Sequence, residues 1–365
     1  MSLSTTLRGA ALGFAGAAAL GWGAAASAST INQNTSWTID RAGTSTRYRV
    51  VAYGDSIFAG YRGSIFNVAR RAAPMVDGEY LSSKWATDIE VVRRTKSGAL
   101  ASDIYNNKIV GERSYMQDGS TRVVTFEMCG NDGLQARSSF AGQTGTCNYG
   151  VLETALNNCT TYTPLAMQAI NTYATTATRK TVSNLYYPGY NADNALAGCT
   201  DATSGTKPNK QNVFLIYVAR INWRTCNFAN ANGFACVDSF AEYMGADYDS
   251  NGDGVVDSVA LKYQQGESES AYVARVTGAL RSTLRDANGH LANASTSYDY
   301  LQSDDTHPTY YGSSTISSGL FGSGSGSAAP AFTDAQMAGG KNPVWNQFGH
   351  ERMGQNLSVF DPATP

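Results

Sequence analysis

The chain has 365 residues, of which 27 are Lys or Arg and 29 are Asp or Glu, giving a formal net charge of −2 with only 15% charged residues. That balance offers no basic field for a nucleic-acid backbone, so an uncharged or weakly polar partner is expected and nucleic acid is not. The length suits one large α/β domain with insertions, and core size is not limiting.

Residues 1–28 read as a secretory signal peptide. Arg8 precedes a small-residue apolar stretch at 10–20, and Ala26-Ser27-Ala28 fits cleavage before Ser29. The apolar core is too short and glycine-rich to favour a spanning helix. No later segment is long and apolar enough to cross a membrane, so a secreted or periplasmic protein with no integral membrane segment is expected, as a monomer. Six cysteines, Cys129, Cys147, Cys159, Cys199, Cys226 and Cys236, are even in number, and in an exported chain they predict three disulfides. None has the Cys-x-x-Cys spacing of a zinc site. Of the possible pairings, Cys226 with Cys236 closes the shortest loop and is the favoured bridge.

Apolar runs at 48–52, 89–92, 123–128, 184–187 and 213–218 predict strands of a parallel sheet buried on both faces. Helices are expected between them, at 166–177 and at 269–288, where Tyr272, Val273, Val276, Leu280 and Leu284 fall largely on one face. This alternation specifies the α/β class.

The first of these strands stops on Gly54-Asp55-Ser56, a tight turn that exposes a hydroxyl at a strand end. A lone serine is a poor nucleophile and needs a base and an oxyanion site. Asp304-Asp305-Thr306-His307-Pro308 puts a carboxylate three residues before a histidine, within reach of the imidazole in one turn. The strand at 123–128 leads into Cys129-Gly130-Asn131-Asp132, where the Asn131 amide is placed to donate to a developing oxyanion. Of the other two histidines, His290 and His350, a solvated loop or helix position is expected.

In these three blocks, each present once and in this order, the chain resembles the GDSL family of the SGNH hydrolase superfamily, over roughly residues 48–358. The resemblance implies an SGNH-like three-layer α/β/α sandwich with a mainly parallel central sheet and loop insertions, a single domain over 29–365, and serine ester hydrolysis with no cofactor for catalysis. It implies Ser56 as nucleophile, His307 as base and Asp304 as the acid that orients it, with Asp305 as the rival acid. It also implies an oxyanion hole from Asn131, the Ser56 N–H and the N–H of Gly98, since Ser97-Gly98-Ala99-Leu100 best matches the family's second block. Two departures stand out: Ile57 replaces the usual leucine, and Cys129 stands where the family has a glycine two residues before the asparagine. A bridged Cys129 would anchor the third block.

Two regions exceed a minimal core, at about 189–267 and 310–347. The second separates His307-Pro308 from the final helix expected at 348–354, and is either a flap over the cleft or a polar loop. Inside the first, residues 247–257 match a calcium-loop pattern, with Asp249, Asn251, Asp253, the Val255 carbonyl and Asp257 as ligands. The twelfth position is Ala260 rather than a glutamate, so another ligand such as Asp247 would be needed. A structural calcium ion is expected, the alternative being an Asn-Gly turn. The expected activity is cleavage of a carboxylic ester. Removal of acetyl groups from a polysaccharide is the alternative within enzymes, and a non-catalytic carbohydrate- or surface-binding protein is the alternative of another class. With no apolar lid helix evident, short or soluble esters are favoured over bulk lipid.

Overall fold

The computed structural model describes residues 31–64, 66–190, 193–244, 261–282, 300–312, 315–317, 324–338 and 348–365. The expected signal peptide, the candidate calcium loop from Asp247 to Ala260 and His290 lie outside the described residues.

The main sheet is built from β1 (Thr35–Ile39), β2 (Arg47–Gly54), β3 (Asp88–Ser97), β4 (Thr121–Glu127), β5 (Arg179–Ser183), β6 (Ala235–Val237) and β7 (Gly324–Ala328), with the two-residue strand Ile31–Asn32 added to β3. Across the sheet the order is β6-β5-β4-β2-β3-β1-β7. Strands β2 to β6 are parallel to one another, β1 runs antiparallel to β3, and β7 lies parallel to β1. After β2 the chain steps to one side to make β3, then crosses back to make β4, β5 and β6 on the other. Open α/β sheets bind ligands outside the carboxyl ends of the strands at such a reversal. Here that point lies between β2 and β4, above Gly54 and Glu127.

Strand alternation sorts side chains onto the two faces. Val50, Ile89, Val91 and Val123 pack on Met75 and Leu81 of α2 (Ala73–Trp85). Their alternates Val51, Tyr53, Val124 and Phe126 pack on the other side against Met167 and Ile170 of α4 (Gly150–Tyr173) and Ile221 of α5 (Lys210–Asn232). The result is the three-layer α/β/α sandwich that the resemblance implied. The last helix, α7 (Gly349–Ser358), packs on α2 and is fastened by buried charge pairs. Glu351 takes both arms of Arg71 at 2.8 and 2.7 Å, and Arg352 pairs with Glu242. Such charges are tolerated in the interior because each has its partner.

Three expected elements are corrected. Residues 213–218 lie inside α5, which runs for 23 residues between α4 and α6 (Glu269–Ser282). A helix covered on several sides carries a continuous apolar run, and periodicity alone does not separate it from a buried strand. Residues 184–187 follow β5 instead of forming a strand. There the Asn222 side chain takes the place of a neighbouring strand, accepting from the Leu185 N–H at 2.8 Å and donating to the Leu185 carbonyl at 2.7 Å. The helix expected at 166–177 is the end of α4, which begins at Gly150 and stops at Tyr173.

The cysteines pair as Cys226–Cys236, the favoured bridge, Cys147–Cys199 and Cys129–Cys159. Among the described residues no helix is long and apolar enough to cross a membrane. Part of the second insertion is neither flap nor polar loop, because Gly324–Ala328 is β7 and extends the sheet. Its Gly-Ser sequence has a packing reason: a Cβ on Gly326 would come within 2.3 Å of the Trp37 ring of β1.

Candidate active site

Ser56 opens α1 (Ser56–Ala59), a four-residue helix directly after β2. Asp55 caps it, accepting from the Ile57 N–H at 2.9 Å. At its other end Arg93 of β3 donates to the carbonyls of Ala59 at 2.8 Å and Ala69 at 3.0 Å. Burial draws the Arg93 pKa down to about 9, so this cation is held by carbonyl dipoles and the Thr35 hydroxyl. The Ser56 N–H, first in its helix, has no intrahelical partner and is free in principle to face a ligand.

The loop at 300–312 brings His307 to Ser56. Leu301 and Pro308 form an antiparallel bridge, and the Gln302 side chain donates to the carbonyls of Tyr61 at 2.9 Å and Pro308 at 2.8 Å, closing the loop against the strand region after α1. His307 Nε2 lies 2.8 Å from Ser56 Oγ, and His307 Nδ1 lies 2.6 Å from Asp304 Oδ2. The other Asp304 oxygen accepts from the backbone N–H groups of Thr306 and His307, at 3.0 and 2.9 Å. Burial alone would raise Asp304, but its bonds to His307 and the charge it faces there hold its carboxyl below the usual range. Asp305 does not take this place: its backbone is left-handed, at φ 54°, and its N–H donates to the Gln302 carbonyl at 2.9 Å.

Asn131 sits in the first turn of α3 (Gly130–Ala141) and lines the same cavity as Ser56. One of its two amide hydrogens goes to Asp55 Oδ2 at 2.8 Å, which fixes the side-chain plane and leaves the second hydrogen for a ligand. Gly98 is buried in the turn after β3 at φ 73°, a left-handed conformation that favours glycine. Asp132 ties this second-block loop to the third block, because its Oδ2 accepts from the Ala101 N–H at 2.8 Å. Burial, opposed by that bond, raises the Asp132 pKa to about 6.

Cys129 has φ 82°, so the position where the family places a glycine keeps a left-handed backbone although it carries a side chain. Its bridge to Cys159 of α4 holds it there, as a bridged Cys129 was expected to do.

Two participants escaped the sequence reading. Tyr61 stacks on the His307 ring, with centroids 4.1 Å apart and planes at 28°. Glu127, at the end of β4, is 2% exposed and accepts from the Asp55 N–H at 2.5 Å. Burial pushes Glu127 well above the usual carboxyl range and the neighbouring Asp55 charge pushes it further. Burial raises Asp55 as well, opposed by the Ile57 N–H, Glu127 and Asn131. The two buried acids thus sit side by side beneath the turn that presents Ser56, each pushed toward its neutral form. Glu127 also explains Gly54, since a Cβ there would lie 2.3 Å from Glu127 Oε1. The sequence signal was the single acid in the mainly apolar run 123–128.

His350 is corrected from a solvated to a fully buried residue of α7. Its Nδ1 faces the Ala73 N–H at 3.4 Å, and burial, then the charge of Arg93, lower its pKa to about 3, so it is neutral. It belongs to the α2–α7 packing and not to the site.

No protein-family model and no curated protein matches the chain. Solved structures do. A lipase, Lip_vut3, from a goat rumen metagenome is 16% identical, with a TM-score of 0.42, covering 64% of this chain and 98% of its own. An extracellular lipase from Streptomyces rimosus is 18% identical, with a TM-score of 0.38, covering 64% and 99%. A catalytic mutant of an acetylxylan esterase from Geobacillus stearothermophilus is 11% identical, with a TM-score of 0.35, covering 56% and 79%.

Proposed function

We propose that the protein is a secreted serine hydrolase of carboxylic esters, of the SGNH type, working through an acyl-enzyme intermediate. At identities this low the side chains carry the reading, and one observation carries it above the rest: the unbroken hydrogen-bond chain from Ser56 Oγ through His307 to Asp304. In the reaction Ser56 Oγ attacks the ester carbonyl while His307 Nε2 takes its proton. Asp304 holds the imidazole in the tautomer with Nδ1 protonated and stabilises the cation that forms. His307 then protonates the leaving alcohol, and water repeats the sequence on the acyl group. The negative oxygen of each tetrahedral intermediate is met by the second Asn131 amide hydrogen and by the N–H groups of Ser56 and Gly98. Three disulfides among the described residues support an oxidising compartment.

The test is Ser56→Ala assayed on p-nitrophenyl esters beside acetylated xylan. The variant is expected to keep its fold and lose on the order of 10⁶-fold in kcat on whichever substrate the wild type cleaves. Retained turnover in a folded variant overturns the assignment, and preference for xylan moves the reading to a polysaccharide O-acetyl esterase.

A further inference from the structure

The Ser56 cavity encloses about 430 Å³, counting the space at its mouth. A second cavity of about 470 Å³, counted the same way, lies between α3, α4 and α5. The two share four wall residues, Gly130, Leu134, Leu185 and Pro188, so the second lies directly beside the first, with Ser56 outside its lining. Its far wall is apolar and comes from buried positions, among them Leu152, Ala155 and Phe214.

The polar groups on this wall are already engaged. Arg137 is held by Asp193 through Nε at 2.6 Å and Nη2 at 2.9 Å. The Tyr187 hydroxyl donates to Asp193 at 2.9 Å, and the Tyr217 hydroxyl to Glu153 at 3.0 Å. Among the described residues no buried side-chain polar atom of this wall lacks a partner. A sugar or headgroup placed here would find its hydroxyls unmatched, which is costly. A hydrocarbon chain loses nothing and gains about fourfold in binding for each methylene taken from water.

We propose that this slot is an acyl-chain subsite, which takes the aliphatic tail of a medium-chain ester whose carbonyl lies at Ser56. The inference rests on the ester-hydrolase reading, and it reverses the preference for short soluble esters drawn from the missing lid helix. A lid is unnecessary when the chain is buried beneath the helices instead of under a flap. Gly133 of α3 is the position to use as a probe: it lines the slot, and a Cβ added there meets no atom within 4 Å, so a larger side chain starts without a clash.

Two experiments test it separately from the chemistry. In the first, Ser56→Ala protein is titrated calorimetrically with octanoate and with butyrate. Octanoate is expected to bind on the order of 10- to 100-fold more tightly, and Gly133→Leu added to Ser56→Ala is expected to erase that difference. In the second, kcat/KM is measured on p-nitrophenyl octanoate and butyrate. The octanoate-to-butyrate ratio is expected to fall about tenfold or more in Gly133→Leu, and Ile221→Ala is expected to move the optimum to longer chains. If Gly133→Leu fails to fold, Val218→Trp fills the same slot from α5. Octanoate that binds no tighter than butyrate, or a ratio unchanged in a folded slot-filling variant, overturns the subsite. Octanoate binding that Gly133→Leu removes, in a protein that cleaves no ester, upholds the slot and overturns the hydrolase reading instead.

Discussion

The Asp55 N–H donates to the Glu127 carboxyl at 2.5 Å, so the turn that presents Ser56 rests on a buried acid from the neighbouring strand. Asp55 in turn caps α1 and accepts from Asn131. Glu127 and Asp55 together thus hold the turn at Ser56 and the plane of the Asn131 amide. Glu127→Gln keeps an acceptor for the Asp55 N–H, and is expected to stay within about tenfold of wild-type kcat. Glu127→Ala removes that acceptor and is expected to lose on the order of 10²-fold in kcat, the scale of a misplaced reacting group. Equal kcat in the folded Ala variant would show that Glu127 only fills space.

Asn131→Ala is expected to lower kcat by about 10²- to 10³-fold, with KM nearly unchanged, because the second amide hydrogen acts on charge that develops only in the transition state. A rise in KM at constant kcat would make Asn131 a ground-state binding residue.

Asp132 gives a pH dependence with a definite sign. Its pKa is raised in the fold, from 3.8 to about 6, so the folded protein binds this proton more tightly than the unfolded chain does. The associated stability is present in full below 3.8 and is lost as pH rises through about 6, an effect of roughly 3 kcal/mol. Urea denaturation at pH 4 and pH 7 is expected to show this component in the wild type and not in Asp132→Asn. A pH slope identical in the two proteins would mean that Asp132 titrates alike folded and unfolded.

The left-handed backbone at Cys129 can be separated from its cross-link. Cys129→Ala with Cys159→Ala is expected to cost about 3 kcal/mol by freeing a long loop of the unfolded chain. Cys129→Gly with Cys159→Ala is expected to regain about 1 kcal/mol of that, because glycine takes this φ without strain. Denaturant midpoints check both. If the Gly and Ala pairs are equally stable, the backbone at 129 relaxes once the bridge is gone.

The parts of the site that were legible in the sequence are those whose chemistry is local. Asp304 and His307 are three residues apart, and the turn between them makes their contact. Ser56 and Asn131 each follow a continuous apolar run of the kind a strand buried on both faces requires, so their place at the sheet's carboxyl edge could be read. Glu127 could not, because its role depends on how β4 lies beside β2, and an isolated acid in a strand carries no sign of its neighbour. The strand wrongly expected at 213–218 shows the same limit: what surrounds an apolar run is a property of the folded chain. His350 was misjudged for that reason, as its burial follows from α7 packing on α2.

The pairing of β7 with β1 joins residues near 324 to residues near 35. Trp37 sits between them, with its ring under Gly326. During synthesis the first strand of the sheet therefore waits for almost the whole chain before both of its edges are covered. Contacts so distant in sequence are slow to form, and an uncovered edge invites pairing with another molecule. An N-terminal trim that reaches past Ile39 would remove not one strand but the platform for a second, leaving β3 as a bare edge. The sheet's outer rim is therefore the place where shortening the protein is expected to turn a folding problem into aggregation.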